Sequence, residues 1–586
     1  MIEQESLKKA QAWAQNPYFD PESRQEIKQL LDKNDTKEII ERFYKDLEFG
    51  TGGIRSILGM GDNRINKYTI RKASQALANA ILATQTPNPK MCISYDSRKF
   101  SLEFAKETAS VMAANGIKAY IFNRLNPVCL LSFAVRHKQA QAGVMVTASH
   151  NPPEYNGYKV YWSDGAQVTP PYDQHVIQAY YAINSWDAIS WMDFEEGVKS
   201  KNIEWIGQEV EDAYFAKIET KFVNQDLCRQ RGNELKIIYT PIHGTGKIPC
   251  ERVLNLLGTK NFTTVPQQAG PDEKFPTVKS PNPENPDALA MAVDLLKKQK
   301  ADIAFGTDPD TDRLGVALIK NGQVFYPNGN QIGILMLHYI LTNLKEQNLL
   351  PKNPYFVKTI VTSPLQEVIA SKFGVSIENT LTGFKWICGR MGKIEKEQPD
   401  RRFVFATEES FGYMNHNFVR DKDGVSSLAL MAEIALWYKI QGMDLLDGLD
   451  KIYEEYGFSD ETLLTLTYQG KEGGEKIARI MERFRNRKEQ QICGEKVLVI
   501  EDYQSKERFD LKTHKKTPID LPESNVLGHI FESGSRLYLR PSGTEPKIKF
   551  YIMIQEAVGS LSEKKLKAET KKQAFLNFLN REASEA

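Results

Sequence analysis

The sequence predicts an α/β protein of three or four domains, and three observations carry that prediction. Short β-branched or aromatic runs recur along the chain and end in polar loops containing Gly or Pro: MCISYD at DSR, AGVMV at TASHNP, LKIIY at TPIHGTG, ADIAF at GTDPDTDR, YFVKTIV at TSP and RRFVFA at TEESFG. Helical stretches fall between them, and such alternation implies largely parallel sheets, whose ligands collect at the carboxyl ends of the strands. The length of 586 residues exceeds what one core serves. A last unit, about 494–554, carries the short runs KVLVI, RLYLR and KIKFYIMI and reads as more antiparallel.

The elements follow in order. Up to about Arg42, Leu30, Leu31, Ile39 and Ile40 recur among charges on one helical face. Polar stretches near 185–202, near 320–326 and after Gly457 mark boundaries, which divides the chain into 1–200, 201–322, 323–457 and 458–586. The segment 471–488, rich in Glu, Lys and Arg, reads as a helix, and EKKLKAETKKQAFLNFL as a final amphipathic one.

A hydrophobic share of 41% and a charged share of 26% belong to a globular chain. The formal charge of +1 argues against a nucleic-acid or membrane-surface protein driven by bulk charge. Six scattered cysteines form no CxxC pair, and the N-terminus MIEQESLKKAQAWAQ has no signal-peptide core, so a reduced, cytoplasmic setting is expected.

Every unusual polar cluster follows a strand-like run. In GTDPDTDR, Asp308, Asp310 and Asp312 alternate and can converge carboxylate oxygens on one point; hard oxygen ligands select Mg²⁺ or a similar ion. An EF-hand is excluded, because Arg313 stands at its glycine position and Ile319 at its bidentate glutamate. A solvated acidic turn would have to tolerate three close carboxylates, and a bound cation relieves that repulsion.

Ser149 in TASHNPPEYNGYK sits beside His150 and ahead of Lys159, both suited to proton transfer or phosphate contact. No GxSxG elbow surrounds it, which argues against acyl chemistry. A phosphate on Ser149 would add an oxygen ligand to the metal of the three aspartates. Such a group near a charge of about −2 leaves the neighbourhood strongly negative, so cations are required; Arg313, Lys159, Lys385 in TGFKWICG and Arg55 in FGTGGIR are the candidates. The glycines around Arg55 could also turn backbone N–H groups toward a phosphate.

RPSGTEPK resembles a phosphate cradle: Arg540 binds bidentately, Ser542 and Thr544 offer hydroxyls, and Gly543 allows close approach. Glu408, Glu409 and Ser410 in TEESFG suit the gripping of sugar hydroxyls. HGTGKI lacks the first glycine and the Ser/Thr of a P-loop, so ATP binding is not expected, and NFT at Asn261 is irrelevant without a secretory signal.

In that order, TASHNP, DPDTDR, GFKW with EESFG, and RPSGTEP resemble the four active-site loops of the α-D-phosphohexomutase superfamily, over roughly 49–554. LEFGTGGIR, GDNRIN, YTPIHGTG and TLTGFKW bring it nearest to the branch that holds phosphoglucomutases and phosphopentomutases. The resemblance implies four domains around a central cleft, three related mixed α/β sandwiches and a smaller C-terminal α+β domain. It further implies Ser149 as phosphoserine and metal ligand, Asp308, Asp310 and Asp312 on Mg²⁺, and Glu408 and Ser410 on the sugar. Arg540, Ser542, Gly543 and Thr544 would hold the non-transferred phosphate; Arg55, Lys159, Arg313 and Lys385 lie near the transferring one, with Lys159 and His150 sharing proton transfer.

The implied activity interconverts glucose 1-phosphate and glucose 6-phosphate through glucose 1,6-bisphosphate. Pentose or mannose phosphates are the rivals within the class, and an Mg²⁺-dependent sugar phosphatase or a non-catalytic sugar-phosphate sensor outside it. Small sugar phosphates are the expected partners, with no nucleic acid or membrane, and the chain as monomer or weak dimer. Two departures from the common pattern, Ser56 and the element Asn126 to Val128 in place of Thr-Pro, are expected not to touch the core chemistry.

Overall fold

The computed structural model describes residues 2–50, 52–487, 490–542 and 546–585. The chain forms two compact units, the first Met1–Pro327 with Met391–Lys393 and Gly412–Leu436, the second Asn328–Arg390 with Ile394–Phe411 and Trp437–Ala586.

The first unit begins with three helices, Ile2–Gln15, Pro21–Asp32 and Thr36–Phe43. Asp20 caps the second through the Ser23 N–H, with Pro21 in the first turn, where its missing donor costs nothing. Trp13, Phe19, Ile27, Ile39 and Phe43 bury their faces against Tyr68, and the Trp13 and Phe19 rings stack at 3.7 Å. Of the expected apolar face Ile39 is buried, while Leu30, Leu31 and Ile40 are half-buried.

A six-stranded sheet follows, in the spatial order Gly53–Ile57, Tyr155–Trp162, Ala142–Val146, Lys90–Tyr95, Lys118–Phe122 and Ile203–Ile206. The last four are parallel, and Tyr155–Trp162 runs antiparallel to both its neighbours. Ala142–Val146 is buried throughout, which is why its sequence is apolar on both faces. The sheet continues past the boundary expected at 200, because Ile203 and Ile206 are buried and Ile203–Ile206 pairs with Lys118–Phe122.

A second sheet orders Gln323–Phe325, Leu314–Lys320, Ile303–Thr307, Ile237–Thr240 and Phe262–Thr264. The boundary expected at 320–326 lies just beyond that stretch, where the opening segment of the first unit ends at Pro327, and the stretch itself holds a hairpin in which Lys320 pairs with Gln323. Asn321 and Gly322 make its turn at φ 52° and 77°, the left-handed pair that Asn-Gly adopts most readily.

In the second unit, Ser376–Thr380, Pro354–Thr359 and Arg402–Glu408 lie parallel and adjacent in that order. Gly457 is followed directly by the strand Phe458–Thr467, which the sequence reading did not mark; one face carries Ser459, Glu461, Thr465 and Thr467 beside a single Leu463, and the strand pairs with Lys547–Glu556 along its whole length. That pair opens an antiparallel sheet that continues through Arg536–Pro541, Leu527–Phe531, Glu495–Asp502, Glu507–Asp510 and Lys515–Pro518. The helices Gly470–Arg485 and Leu561–Glu585 cover its apolar face with Ile480, Met481, Phe484, Phe575 and Leu579. Among the described residues no helix is long and apolar enough to cross a membrane.

One ion cluster braces this unit. Lys358, fully buried, places Nζ 2.9 Å from Glu367 Oε1, and Arg536 grips the same carboxylate with both terminal nitrogens at 2.8 and 2.6 Å. Glu367→Ala would leave a buried ammonium uncompensated. We expect it to destabilise this unit by about 3 kcal/mol, read as a lower urea midpoint, with Glu367→Gln milder.

Candidate active site

Ser149 lies three residues past the strand Ala142–Val146, in the left-handed region at φ 52°. Its N–H donates to Thr147 Oγ1 at 2.8 Å, and Thr147 Oγ1 donates to Asp96 Oδ2 at 2.6 Å. Behind it the chain passes so close that a Cβ on Gly157 would sit 2.3 Å from the Thr147 carbonyl oxygen, which restricts that position to glycine. The Ser149 hydroxyl donates to Asp308 Oδ2 at 3.2 Å and lies 3.2 Å from His150 Nδ1.

Asp308, Asp310 and Asp312 follow the strand Ile303–Thr307 and are all buried, each offering a carboxylate oxygen within 4.8 Å of the others. Asp308 Oδ1 accepts the N–H groups of Asp312 and Arg313 at 3.0 and 3.1 Å, which curls the loop around it. Burial, then the neighbouring Asp312 and Asp310, push the Asp308 carboxyl well above the usual carboxylate range. Burial also opposes ionisation of Asp312, but Lys422, Lys159 and Arg313 outweigh it and hold that carboxyl below the range. Oδ1 of Asp310 and Oδ1 of Asp312 are buried and accept no hydrogen bond. Buried carboxylate oxygens with free lone pairs are what a hard divalent cation takes up, so the loop fits Mg²⁺.

Cations surround the acids. Lys159 Nζ lies 2.7 Å from Asp310 Oδ2 and 3.5 Å from Asp312 Oδ2. Burial works against its charge, but the two carboxylates outweigh it and hold its pKa above the ordinary value. Lys159 is therefore a fixed cation and not a ready proton acceptor. His150 is the opposite case: burial, with Arg313 and Arg55 nearby, pushes it down to about 2, so its imidazole is neutral and a weak base that holds a proton only in passing. Arg55 donates to Asn151 Oδ1 at 2.9 Å, and Arg313 is paired with Glu284. The glycines ahead of Arg55 do not all offer donors, since Gly50 and Gly53 spend their N–H groups on each other's carbonyls at 2.9 and 3.1 Å.

The first unit thus brings together Ser149, His150, Lys159, Arg55, Asp308, Asp310, Asp312 and Arg313. It adds groups that sequence reasoning missed. Lys422 Nζ lies 3.1 Å from Asp312 Oδ2 and 3.1 Å from Asp421 Oδ1, and Asp421 Oδ2 accepts the Tyr161 hydroxyl at 2.7 Å. The HGTG turn, no P-loop, supports the acidic loop: the N–H and the hydroxyl of Thr245 both donate to the Pro309 carbonyl at 2.9 Å. The Asn126–Val128 element also reaches the acidic loop, contrary to expectation, since the Val128 N–H donates to the Asp310 carbonyl at 3.0 Å. A run of RDKDG carries no local mark of such a contact; only the excess of acid in DPDTD hints that more cations are needed.

Lys422→Ala gives a pH prediction with a definite sign. Loss of the ammonium raises the Asp312 carboxyl, and a metal ligand must be deprotonated. The acidic limb of the pH–activity profile is expected to move to higher pH, with Mg²⁺ saturation weakening first at the acid end.

The second unit holds the remaining candidates. Glu408 ends the strand Arg402–Glu408 and is buried, with Ser410 half-buried two residues on. Glu409 Oε2 accepts the Thr359 hydroxyl at 2.9 Å. Arg540 lies on Arg536–Pro541; burial raises the pKa of the Tyr551 hydroxyl, the Glu409 carboxylate adds to that rise and the Arg540 guanidinium opposes it. The sugar-grip and phosphate-cradle candidates thus both act on the charge of Tyr551. Ser542 donates its N–H to the Lys547 carbonyl at 2.8 Å; Gly543 and Thr544 lie outside the described residues. Lys385 is half-buried at the start of the helix Phe384–Glu397, its ammonium 5.0 Å from the Trp386 ring.

A serine hydroxyl against a buried acidic triad, ringed by cations at the carboxyl ends of α/β sheets, has the make-up of a metal-assisted phosphoryl-transfer centre. Comparison with known proteins narrows this class. Sequence profiles of the phosphoglucomutase/phosphomannomutase alpha/beta/alpha domains I, II and III match residues 46–186, 212–321 and 328–456. The phosphoglucomutase of Staphylococcus aureus (strain MRSA252) is 37% identical over 533 residues, 90% of this chain and 93% of that one. That of Staphylococcus epidermidis is 36% identical over 541 residues, covering 92% and 96%. Among solved structures, pp63/parafusin, a phosphoglucomutase from Paramecium, superposes with a TM-score of 0.67 at 16% identity over 92% of this chain and 96% of that one. A phosphoglucomutase/phosphomannomutase family protein from Burkholderia thailandensis gives 0.65 at 17%, over 91% and 97%. The chain belongs to the phosphoglucomutase/phosphomannomutase family, within the α-D-phosphohexomutase superfamily, and is a mutase.

Proposed function

We propose that this enzyme interconverts glucose 1-phosphate and glucose 6-phosphate through a phosphoserine at Ser149 and a glucose 1,6-bisphosphate intermediate. The observation that carries the reading is the Ser149 hydroxyl on Asp308, beside two buried aspartate oxygens that accept no hydrogen bond, in a chain 37% identical to a phosphoglucomutase along 90% of its length.

Asp308, Asp310 and Asp312, with the Ser149 phosphate, would hold Mg²⁺, which offsets charge developing on the transferring group. In the forward half, the bond from phosphorus to Ser149 Oγ breaks as one forms to a sugar hydroxyl oxygen, whose proton ends on Ser149 Oγ. In the return half, the bond from the other phosphate to its sugar oxygen breaks as one forms to Ser149 Oγ, and the serine proton passes by way of His150 Nδ1, 3.2 Å away, to that sugar oxygen. That step needs the His150 tautomer with its proton on Nε2. Lys159 keeps its proton and balances Asp310 and Asp312, while Arg55, Arg313 and Lys385 are assigned to the transferring phosphate. Glu408 and Ser410 hold sugar hydroxyls, and Arg540 with Ser542, Gly543 and Thr544 holds the phosphate that stays.

Phosphorus NMR of the enzyme with Mg²⁺, a trace of glucose 1,6-bisphosphate, and glucose 1-phosphate competing with ribose 1-phosphate tests the reading. Glucose 6-phosphate forming fastest without inorganic phosphate is the expected result. Faster ribose 5-phosphate would make the enzyme a phosphopentomutase, and inorganic phosphate as main product a hydrolase.

A further inference from the structure

Arg98 makes more contacts with the Ser149 loop than any residue assigned above, and none of them is to a side chain of that loop. It follows the strand Lys90–Tyr95 in the DSR turn, and its side chain has no solvent exposure. Nη1 donates to the carbonyls of Pro152 and Tyr155 at 2.8 and 3.0 Å. Nη2 donates to the carbonyl of Ser149 at 2.6 Å and to that of Asn151. A guanidinium has four terminal hydrogens, so each is matched to one loop carbonyl. Nε faces Asp96 Oδ2 at 3.3 Å, and the guanidinium stands 5.1 Å from the Phe275 ring centroid.

The other side of Ser149 ends on the same ion pair. Its N–H reaches Asp96 through the Thr147 hydroxyl, and Asp96 Oδ1 accepts the Ser101 hydroxyl at 2.8 Å and the Arg98 N–H at 3.0 Å. Both peptide groups flanking Ser149 are thus tied to Asp96 and Arg98. A non-glycine residue stays at φ 52° only where its surroundings over-determine it, and this arrangement does so while leaving Oγ free for Asp308 and His150.

We propose that Arg98 is a positioning residue for phosphoryl transfer: through main-chain carbonyls alone it holds the Ser149 hydroxyl in line with the acidic loop. The inference rests on Ser149 as the phosphoryl carrier. Arg98 has no terminal donor left for a substrate phosphate, so its loss acts on the transfer step and not on sugar binding. A lysine keeps the charge but has three donors on one atom and cannot span four carbonyls.

The test is steady-state kinetics of Arg98→Lys beside Ser149→Ala. Arg98→Lys is expected to lower kcat about 100-fold, the cost of a misplacement near 1 Å, with the KM for glucose 1-phosphate within twofold of wild type. Methylguanidinium added to Arg98→Ala is expected to restore part of that kcat. Undiminished kcat in Arg98→Lys, or a loss confined to KM, overturns the proposal. Hydrogen exchange on the unmodified protein gives a second readout should the variants not fold. The amides of Ser149, Asn151 and Tyr155 should be protected like those of Ala142–Val146, and exchange at open-loop rates overturns the anchoring. If Ser149→Ala keeps mutase activity, the underlying carrier assignment has failed; if it is inactive while Arg98→Lys is normal, the Arg98 inference alone has failed.

Discussion

Ser149→Ala is expected to lose mutase activity by about 10⁶-fold, the scale of removing a covalent nucleophile, while the fold is kept. The serine is buried and its side chain makes one contact to Asp308 and one to His150, so alanine leaves no large cavity. The N–H to Thr147 and the carbonyl to Arg98 are main-chain contacts and survive the change. The measurement is glucose 6-phosphate formation coupled to its oxidation, with mass spectrometry of the protein after incubation with glucose 1,6-bisphosphate. Wild type should gain one phosphoryl group on the peptide containing Ser149, and the variant none. An active variant would sink the carrier assignment.

Asp310→Asn is expected to have the next largest effect, because Asp310 does two things. One oxygen holds Lys159 at 2.7 Å and the other accepts no hydrogen bond. The amide removes the negative charge from both, and the half-saturating Mg²⁺ concentration should rise by about 100-fold or more, at least the upper end of what losing an outer partner of a metal site costs. A direct readout is thermal unfolding. A ligand that binds only the folded state at 100 times its Kd stabilises by about 2.7 kcal/mol, so Mg²⁺ should raise the wild-type melting temperature and leave that of Asp310→Asn nearly unchanged. Chelation should bring the wild type down to the variant.

The candidate residues that the first unit gathers were legible in the sequence because each is announced within a few positions. Three alternating aspartates cannot sit together without a cation, and a serine, a histidine and two prolines do not follow a buried strand by accident of composition. The alternation of strand-like runs with helices likewise gave the parallel sheets. What stayed hidden depends on contacts distant in sequence. Arg98 and Ser149 are joined by a hydrogen bond across 51 positions, and nothing in DSR marks its arginine apart from a surface one. HGTG was read for what it lacks as a nucleotide loop, when its use is to prop the acidic loop. The strand Phe458–Thr467 was missed because one face is mostly polar, and the boundary expected at 322 fell on the hairpin of Asn321 and Gly322, a few residues ahead of Pro327, where the opening segment of the first unit ends.

The short return of Gly412–Leu436 to the first unit bears on any attempt to re-engineer the sugar preference of this enzyme by transplanting segments from relatives. A graft of residues 328–456, the span of a whole family domain, would look like an exchange of the sugar grip alone. It would also import a foreign Asp421, Lys422 and Gly424, of which Lys422 sets the charge on Asp312 and Gly424 leaves only 2.6 Å between a Cβ and the Thr311 carbonyl oxygen. Such a chimera would change its phosphoryl-transfer machinery along with its specificity. A transplant that stops at Phe411 and resumes at Trp437 would leave Asp421, Lys422 and Gly424 native.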